Sequence, residues 1–331
     1  MVGVSMTTRL RLGLIGVGRH GSRYARHIVR DLPDLRLVAI ARRDAEAVRA
    51  QGAEYGCRTY LDYRELIAAP DVDAVIVVVP PTLHVKIVET AAAEHKPLLL
   101  EKPAAPDVET GLRMLRAARA AGISVMVAQT LRYNGVVRLL LEARERIGRV
   151  HALRIAQYFE PSRPGWIDDP AVSGGGMALH TGVHSFDLVR VLSGLEAERV
   201  SCEMSSVGTV QTEDNFSAVL RLQGGRLASI AASRATQSRG GAIELVGERG
   251  QLVGDHALNF ARIVHGSESI PLAVPAPVST VLEAVKDFAA ALGRGDPMPI
   301  PLEEGLRAVA LCDACYRAAA SQRAEAVAQV D

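Results

Sequence analysis

The stretch Leu10-Arg11-Leu12-Gly13-Leu14-Ile15-Gly16-Val17-Gly18-Arg19-His20-Gly21 decides the fold. Leu10 to Ile15 is an aliphatic run of strand length, and three glycines in a G-x-G-x-x-G pattern follow it directly. Arg19 to Arg30 then carries Tyr24, Ala25, Ile28 and Val29 at helical spacing, Pro33 ends that segment, and Leu35 to Ala41 is a second apolar run. A glycine triplet alone is usually just a turn. Set between a strand and a helix, inside a unit of about 30 residues, it reads as a dinucleotide cradle. Gly16 permits the tight turn, Gly18 lets the backbone approach a pyrophosphate, and Gly21 lets the helix pack close to the strand. The N–H groups of the loop Gly16-Val17-Gly18-Arg19-His20-Gly21 then face the phosphates at the helix start.

The end of the second strand discriminates between cofactors. An NAD site places a carboxylate there, about 20 residues past the last glycine, to bind the ribose 2′-hydroxyl. This chain has Arg42-Arg43 instead, two guanidiniums suited to grip a 2′-phosphate. NADP is therefore the expected cofactor, with NAD the alternative. Two surface arginines opening a helix would look the same, and Asp44 is placed to cap that helix.

Outward from this unit the alternation continues. Strands are expected at Asp71 to Val79, Pro97 to Leu100 and Ile123 to Ala128, with helices at Leu83 to Glu94, Val108 to Ala120 and Val136 to Arg146. This predicts a Rossmann-type doubly wound parallel sheet over residues 1–130. Ligands of such sheets bind beyond the carboxyl ends of the strands, where Pro80, Pro81, Glu101, Lys102 and Pro103 fall. Residues 131–331 change character. A long strand, Val150 to Phe159, precedes a loop from Pro161 to Gly176 that holds the one tryptophan, Trp166. A helix from Ala178 to Leu192 follows. Strands are expected near 197–207, 213–222, 226–234, 241–246, 250–254 and 259–264, then helices at Thr280 to Leu292 and Leu302 to Arg317. Strands backed by helices argue for an α+β domain with a largely antiparallel sheet. The junction lacks a flexible linker, so tight domain packing is expected.

Bulk composition narrows the partners. A formal charge of +1 offers no reason to expect nucleic acid or an anionic membrane. The longest strongly apolar stretch, Ala74 to Val79, is strand length and far short of a membrane span. The four cysteines, Cys57, Cys202, Cys312 and Cys315, are too scattered for a disulfide framework, and Met1 to Arg11 lacks the apolar run of a signal peptide, so a cytoplasmic protein is expected. Of 38 basic residues only Lys86, Lys96, Lys102 and Lys286 are lysines. In a chain that prefers arginine, a lysine at a strand end invites a role that arginine cannot fill.

In their order and spacing, Gly16-x-Gly18-x-x-Gly21, Pro80-Pro81-Thr82-Leu83-His84, Glu101-Lys102-Pro103, Arg132-Tyr133, and Gly174-Gly175-Gly176 leading to Gly182-Val183-His184 and Asp187 resemble the glucose–fructose oxidoreductase, inositol dehydrogenase and MocA-like family. The resemblance spans residues 9 to 320. It implies a Rossmann domain followed by an open-faced antiparallel sheet used for homodimer or homotetramer contacts. It also implies hydride exchange between a nicotinamide and a carbinol or carbonyl carbon of a sugar or cyclic polyol. Lys102 and His184 match residues expected at the reacting hydroxyl. Many members carry Asp four residues before that histidine; this chain has His180, which leaves the substrate open.

On this reading His184, whose imidazole titrates near neutrality, can serve as the base, and Lys102 would stabilise alkoxide character on the same oxygen; the sequence leaves open which of the two makes the direct proton transfer. Glu101 either orients Lys102 or contacts cofactor ribose. Pro80, Pro81 and His84 flank the nicotinamide end, while Trp166, Asp168 and His180 line the substrate pocket; a turn at Asp169-Pro170 accounts for those aspartates nearly as well. His180, His184 and Asp187 also have zinc-ligand spacing but lack the glutamate of a metalloprotease helix, and a metal-free dehydrogenase explains the same residues. Cys312-x-x-Cys315 reads as two small buried residues. Alternatives are a dihydrodiol-dehydrogenase-like or sugar-nucleotide ketoreductase activity, or a non-catalytic regulator that senses NADP.

Overall fold

The computed structural model describes residues 9–161 and 165–331. The start of the chain read above for a leader, residues 1–8, and residues 162–164 of the expected loop lie outside the described residues.

Six parallel strands, β1 (Leu10–Ile15), β2 (Leu35–Ala41), β3 (Arg58–Tyr60), β4 (Ala74–Val77), β5 (Leu98–Glu101) and β6 (Val125–Ala128), form a sheet in the order β3-β2-β1-β4-β5-β6. Helices α1 (Gly21–Arg30), α2 (Ala45–Tyr55), α3 (Tyr63–Ala68), α4 (His84–Ala93) and α5 (Val108–Ala121) make the crossovers. Asp44, Asp62 and Asp107 cap α2, α3 and α5, while Gly56 and Gly122 end α2 and α5 in the left-handed conformation. Every residue of β4, β5 and β6 is buried, which is why those strands are apolar runs without alternation. The strand order reverses between β1 and β4, and this opens a crevice at their carboxyl ends. The expected strand at Asp71 to Val79 shrinks to Ala74–Val77. The short edge strand β3 and helix α3 were not foreseen, because three residues of strand carry no periodic signal.

The second half comprises α6 (Gly135–Ile147), β7 (Val150–Tyr158), the short α7 (Pro170–Ser173), α8 (Val183–Ser193), β8 (Ala197–Ser205), β9 (Asn215–Leu222), β10 (Leu227–Ser233), β11 (Ala242–Gly247), β12 (Gly250–Asp255), β13 (Phe260–His265), β14 (Glu268–Leu272), α9 (Thr280–Arg294), α10 (Leu302–Ser321) and β15 (Glu325–Ala326). Its nine strands run β14-β13-β12-β11-β7-β10-β9-β8-β15, all antiparallel except the β7–β10 pair. Helices α6, α8 and α10 pack on one face. The other stays open: β9 alternates strictly between buried and exposed, with Val219 outward. The edge strand β14 escaped notice because Glu268-Ser269-Ile270-Pro271-Leu272 holds a proline and lacks a buried face. The helix expected at Ala178 to Leu192 is not uniform. It opens with a π-helical turn, Ala178–Gly182, before α8.

Two hydrophobic cores result, one under the parallel sheet through Tyr133 and one beginning at Val136. Helix α10 belongs to both. Leu302, Leu306, Val309 and Ala310 enter the first, and Leu311, Cys312, Ala314, Cys315 and Ala318 enter the second. Helix α9 returns to the first core through Val281, Val285 and Phe288, although the chain has by then traversed eight of the nine strands of the second sheet.

A buried ion network pins the junction. Arg132 makes a two-pronged bond to Asp187 of α8 (2.8 and 2.5 Å) and reaches Glu304 of α10 at 2.8 Å. Arg190 pairs with Glu196 (2.7 and 2.6 Å) and with the same Glu304. Removing one member of a buried pair strands the other charge. Asp187→Ala is expected to cost about 3 kcal/mol of stability, read from the chemical-denaturation midpoint; an unchanged midpoint would show that the pair does not hold the domains together.

Candidate active site at the interdomain crevice

The glycine turn after β1 divides its labour. Gly16 has φ +90°, and a Cβ there would lie 2.1 Å from the Val78 carbonyl; one on Gly21 would lie 1.9 Å from the Gly16 carbonyl. Both glycines are required by packing alone. A Cβ on Gly18 would meet nothing within 4 Å, so the protein's own packing does not require a bare backbone there. No side chain caps the start of α1, unlike α2, α3 and α5, which suits an anion at that helix end. Arg42 bends toward this turn, donating to the Val17 carbonyl (3.2 Å), which Gln51 also holds (2.8 Å). Asp44 serves as the N-cap of α2, with Ala47 N–H at 3.0 Å. Arg43 makes no ion pair among the described residues.

Glu101, at the end of β5, is buried and fully engaged. Its Oε1 accepts from the Tyr24 hydroxyl (2.5 Å) and faces His20 Nε2 (2.6 Å), while Oε2 accepts from the Lys102 backbone N–H (2.9 Å). Burial would raise its pKa, but the His20 bond and charge, the Lys102 ammonium and the Tyr24 bond hold it at about 2. Of the two tasks considered for Glu101, its geometry serves the orienting one. The contact also ties His20 of the glycine turn to the Glu101-Lys102-Pro103 corner.

From that corner Lys102 crosses to the second domain, and its Nζ donates to the His180 carbonyl at 2.7 Å. The π-helical turn makes this possible, since a widened turn presents carbonyls off the regular helical ladder. Burial lowers the Lys102 pKa, opposed by Glu101 and assisted by Arg234. His184 follows on the first turn of α8. Its Nδ1 is sealed from water without a partner, and burial and then the Lys102 charge push its pKa well below 6.5. The result is an imidazole pushed toward its neutral form, four residues past the carbonyl that holds Lys102.

Other expected site residues prove to be structural. The His84 ring is buried between the Ala104 and Val79 carbonyls (3.0 and 3.1 Å), so it braces two loops and has no nitrogen left for a ligand. Asp168 accepts the backbone N–H groups of Val210, Gln211 and Thr212 (2.9 Å each) and the Thr212 hydroxyl (3.0 Å), leaving its carboxylate saturated. His180 donates Nε2 to the Ser173 carbonyl (3.0 Å) and packs edge-on against Trp166 (5.5 Å between ring centroids). Its imidazole shapes the wall, while its carbonyl meets Lys102. With Asp187 held by Arg132, the zinc-ligand spacing does not become a ligand set; no metal-ligating cluster occurs among the described residues. Pro80 and Pro81 lie at the carboxyl end of β4, as anticipated.

Sequence reading missed a further group. Gln129, Gln157, Arg234 and His256 are largely buried and carry polar side-chain atoms with no partner. The one legible signal was the position of Gln129, directly after the wholly apolar strand β6; Gln157 lies in β7 with His151 and Arg154 and gave none.

A glycine-cradled parallel sheet whose crevice holds a clamped lysine and a neutral histidine defines a dinucleotide-binding oxidoreductase. A profile described as "Oxidoreductase family, NAD-binding Rossmann fold" matches residues 10–129, and one described as "GFO/IDH/MocA C-terminal domain" matches 138–253. The chain is 28% identical to myo-inositol 2-dehydrogenase of Thermotoga maritima over 97% of its own length and 99% of the relative's. It is 30% identical to 1,5-anhydro-D-fructose reductase of Ensifer adhaerens, over 87% and 90%. In fold it matches levoglucosan dehydrogenase solved with NADH, with a TM-score of 0.88, 23% identity, and coverage of 97% and 100%. The chain belongs to the glucose–fructose oxidoreductase, inositol dehydrogenase and MocA family, and it is an NAD(P)-binding oxidoreductase.

Gly18→Ala is expected to fold with unchanged thermal stability and to bind the dinucleotide more weakly, whereas Gly21→Ala loses stability by roughly 1–3 kcal/mol through overpacking. Fluorescence titration and thermal unfolding separate the two. Unchanged cofactor affinity in Gly18→Ala would remove the turn from the binding site.

Proposed function

We propose that the protein is an NADP-preferring dehydrogenase, or ketoreductase in reverse, acting on a secondary hydroxyl of a sugar or cyclic polyol. The observation that carries this reading is the unpartnered Nδ1 of His184, four residues past the His180 carbonyl that anchors Lys102 Nζ at 2.7 Å. A bound nicotinamide would supply the hydride acceptor or donor. The chain supplies the proton chemistry. Lys102, immobilised by the His180 carbonyl and oriented from behind by Glu101, stabilises negative charge developing on the substrate oxygen. His184 takes the hydroxyl proton, and its lowered pKa keeps it ready as a base below neutral pH. The names of the relatives above, an inositol dehydrogenase and an anhydrofructose reductase, support a polyhydroxylated substrate.

Arg42 and Arg43 support NADP, because two guanidiniums stand at the end of β2 and the Asp44 carboxylate beside them is drawn to the cap of α2 through Oδ1 and to Arg42 through Oδ2 (3.7 Å). The open face of the second sheet, with Val219, Leu227 and Val246 exposed, suits a homodimer or homotetramer contact. Among the described residues no helix is long and apolar enough to cross a membrane, and all four cysteines are free, which fits a cytoplasmic enzyme.

Lys102→Ala is expected to retain NADPH affinity and lose turnover by at least about a hundredfold. A variant that kept its rate would dismiss the lysine from the chemistry, and a wild-type protein that bound NADPH yet reacted with no alcohol or ketone would favour a sensor. Because the His184 pKa is lowered, log kcat/KM for alcohol oxidation should stay level as pH falls through 6.5 and drop only below it; an acid limb at 6.5 or above contradicts the assignment. Arg42→Ala with Arg43→Ala should bring the NADP to NAD ratio of kcat/KM down by about tenfold or more, and a wild-type enzyme that already prefers NAD refutes the cofactor reading.

A further inference from the structure

Arg234 presents a buried guanidinium that the protein leaves unused. The residue is 7% exposed, none of its side-chain nitrogens makes a hydrogen bond or ion pair with a described residue, and Nη2 is sealed without a partner. An unpaired buried charge is costly, and a fold retains one where something else completes it. Its position follows from the sheet. Ala228, Ile230 and Ala232 of β10 face the helix-covered side, and Arg234 continues that alternation one step past the strand. On the neighbouring strand β7, Gln157 lies opposite Ala232 on the same side, wholly buried, with both amide atoms unpartnered. Two orphaned polar side chains thus sit side by side at the sheet end nearest the π-helical turn. The Arg234 backbone N–H bonds the Asp214 carbonyl (2.8 Å), and the adjoining Glu213 carbonyl takes the Met177 N–H at the head of the π-helical turn (2.8 Å), so Arg234 lies against the segment whose His180 carbonyl holds Lys102.

The surrounding carboxylates do not complete it. Glu213 accepts the Ala178 N–H and the Tyr316 hydroxyl on Oε1 alone (2.8 Å each), and neither of its oxygens forms an ion pair with Arg234. Asp214 is occupied by the Val207 and Gly208 N–H groups and the Asn215 amide (2.9, 2.6 and 2.6 Å). Asp168 is saturated by the 210–212 loop, and Glu101 is neutralised by His20, Tyr24 and Lys102. His180, His184 and His256 are pushed toward their neutral forms by burial. Two basic side chains remain, Lys102 at the end of β5 and Arg234 deeper in the second domain, and among the described residues no carboxylate makes an ion pair with either.

We infer that the substrate is a polyhydroxylated acid, whose carboxylate is received by the Arg234 fork while Gln157 bonds an adjacent hydroxyl. A planar guanidinium whose donors no protein group takes matches a carboxylate in two-pronged geometry, which an uncharged sugar cannot reproduce. Arg234 is thus a specificity determinant distinct from the lysine and histidine. The inference rests on this crevice being the substrate pocket of the proposed dehydrogenase.

The test measures binding as well as turnover. Calorimetric titration of the NADP-loaded protein with gluconate against sorbitol, and with galacturonate against galactose, compares acids with neutral counterparts. At least one acid is expected to bind tenfold or more tightly than its partner, as charge-assisted bonds allow, and Arg234→Gln should abolish the difference without altering NADPH affinity. Arg234→Lys, which keeps the charge and loses the fork, should retain only part of it. Equal affinity for acid and neutral sugar in the wild type overturns the inference and needs no variant to do so; so does a preference that survives Arg234→Gln. Tight acid binding without turnover of any compound would uphold the carboxylate site and sink only the dehydrogenase reading.

Discussion

The site exists because one ammonium bridges two domains. Lys102 leaves the end of β5 and its Nζ lands on the His180 carbonyl of the second domain, a 2.7 Å bond across the crevice. Behind it, Glu101 binds the lysine's backbone N–H and reaches Tyr24 and His20, so the glycine turn, the strand end and the histidine-bearing helix form one connected unit. Charge-assisted bonds of this kind are strong where water is scarce, which makes the lysine's position a property of the whole assembly.

For that bond to form, the two domains must hold one relative position. Helix α10 secures this by burying opposite faces in both cores, and the Arg132–Asp187–Glu304–Arg190 network closes the same junction with directed bonds. Non-directional packing brings the domains together, while the ion network selects one register between them. The π-helical turn is the local irregularity that the arrangement needs, since it delivers a carbonyl to Lys102 just before the chain resumes as α8 with His184.

The electrostatics of the crevice are set by how its carboxylates are spent. Asp44 caps a helix, Asp168 organises a loop, Asp187 holds Arg132, and Glu101 serves the lysine from behind. Each is bonded to protein, while neither Lys102 nor Arg234 makes an ion pair among the described residues, in a chain whose net charge is only +1. Bulk charge says little about a pocket, because burial and pairing decide which charges a ligand meets.

The sequence by itself determined the parallel sheet, the glycine cradle and the two domains, since these rest on local signals: apolar runs of strand length, turn glycines and helical spacing. It also singled out Lys102 and His184, through the Glu101-Lys102-Pro103 corner and the resemblance. Only the tertiary structure decided which polar residues are free to act. His84 and Asp168 looked available in the chain and are consumed by backbone groups; Arg234 and Gln157 gave no signal and are left unpaired. The spacing of His180, His184 and Asp187 suggested a shared helix face, but a π-helical turn and Arg132 redirect it. Hydrogen-bond partners come from segments 40 to 80 residues away, and no local pattern records which of them arrives first.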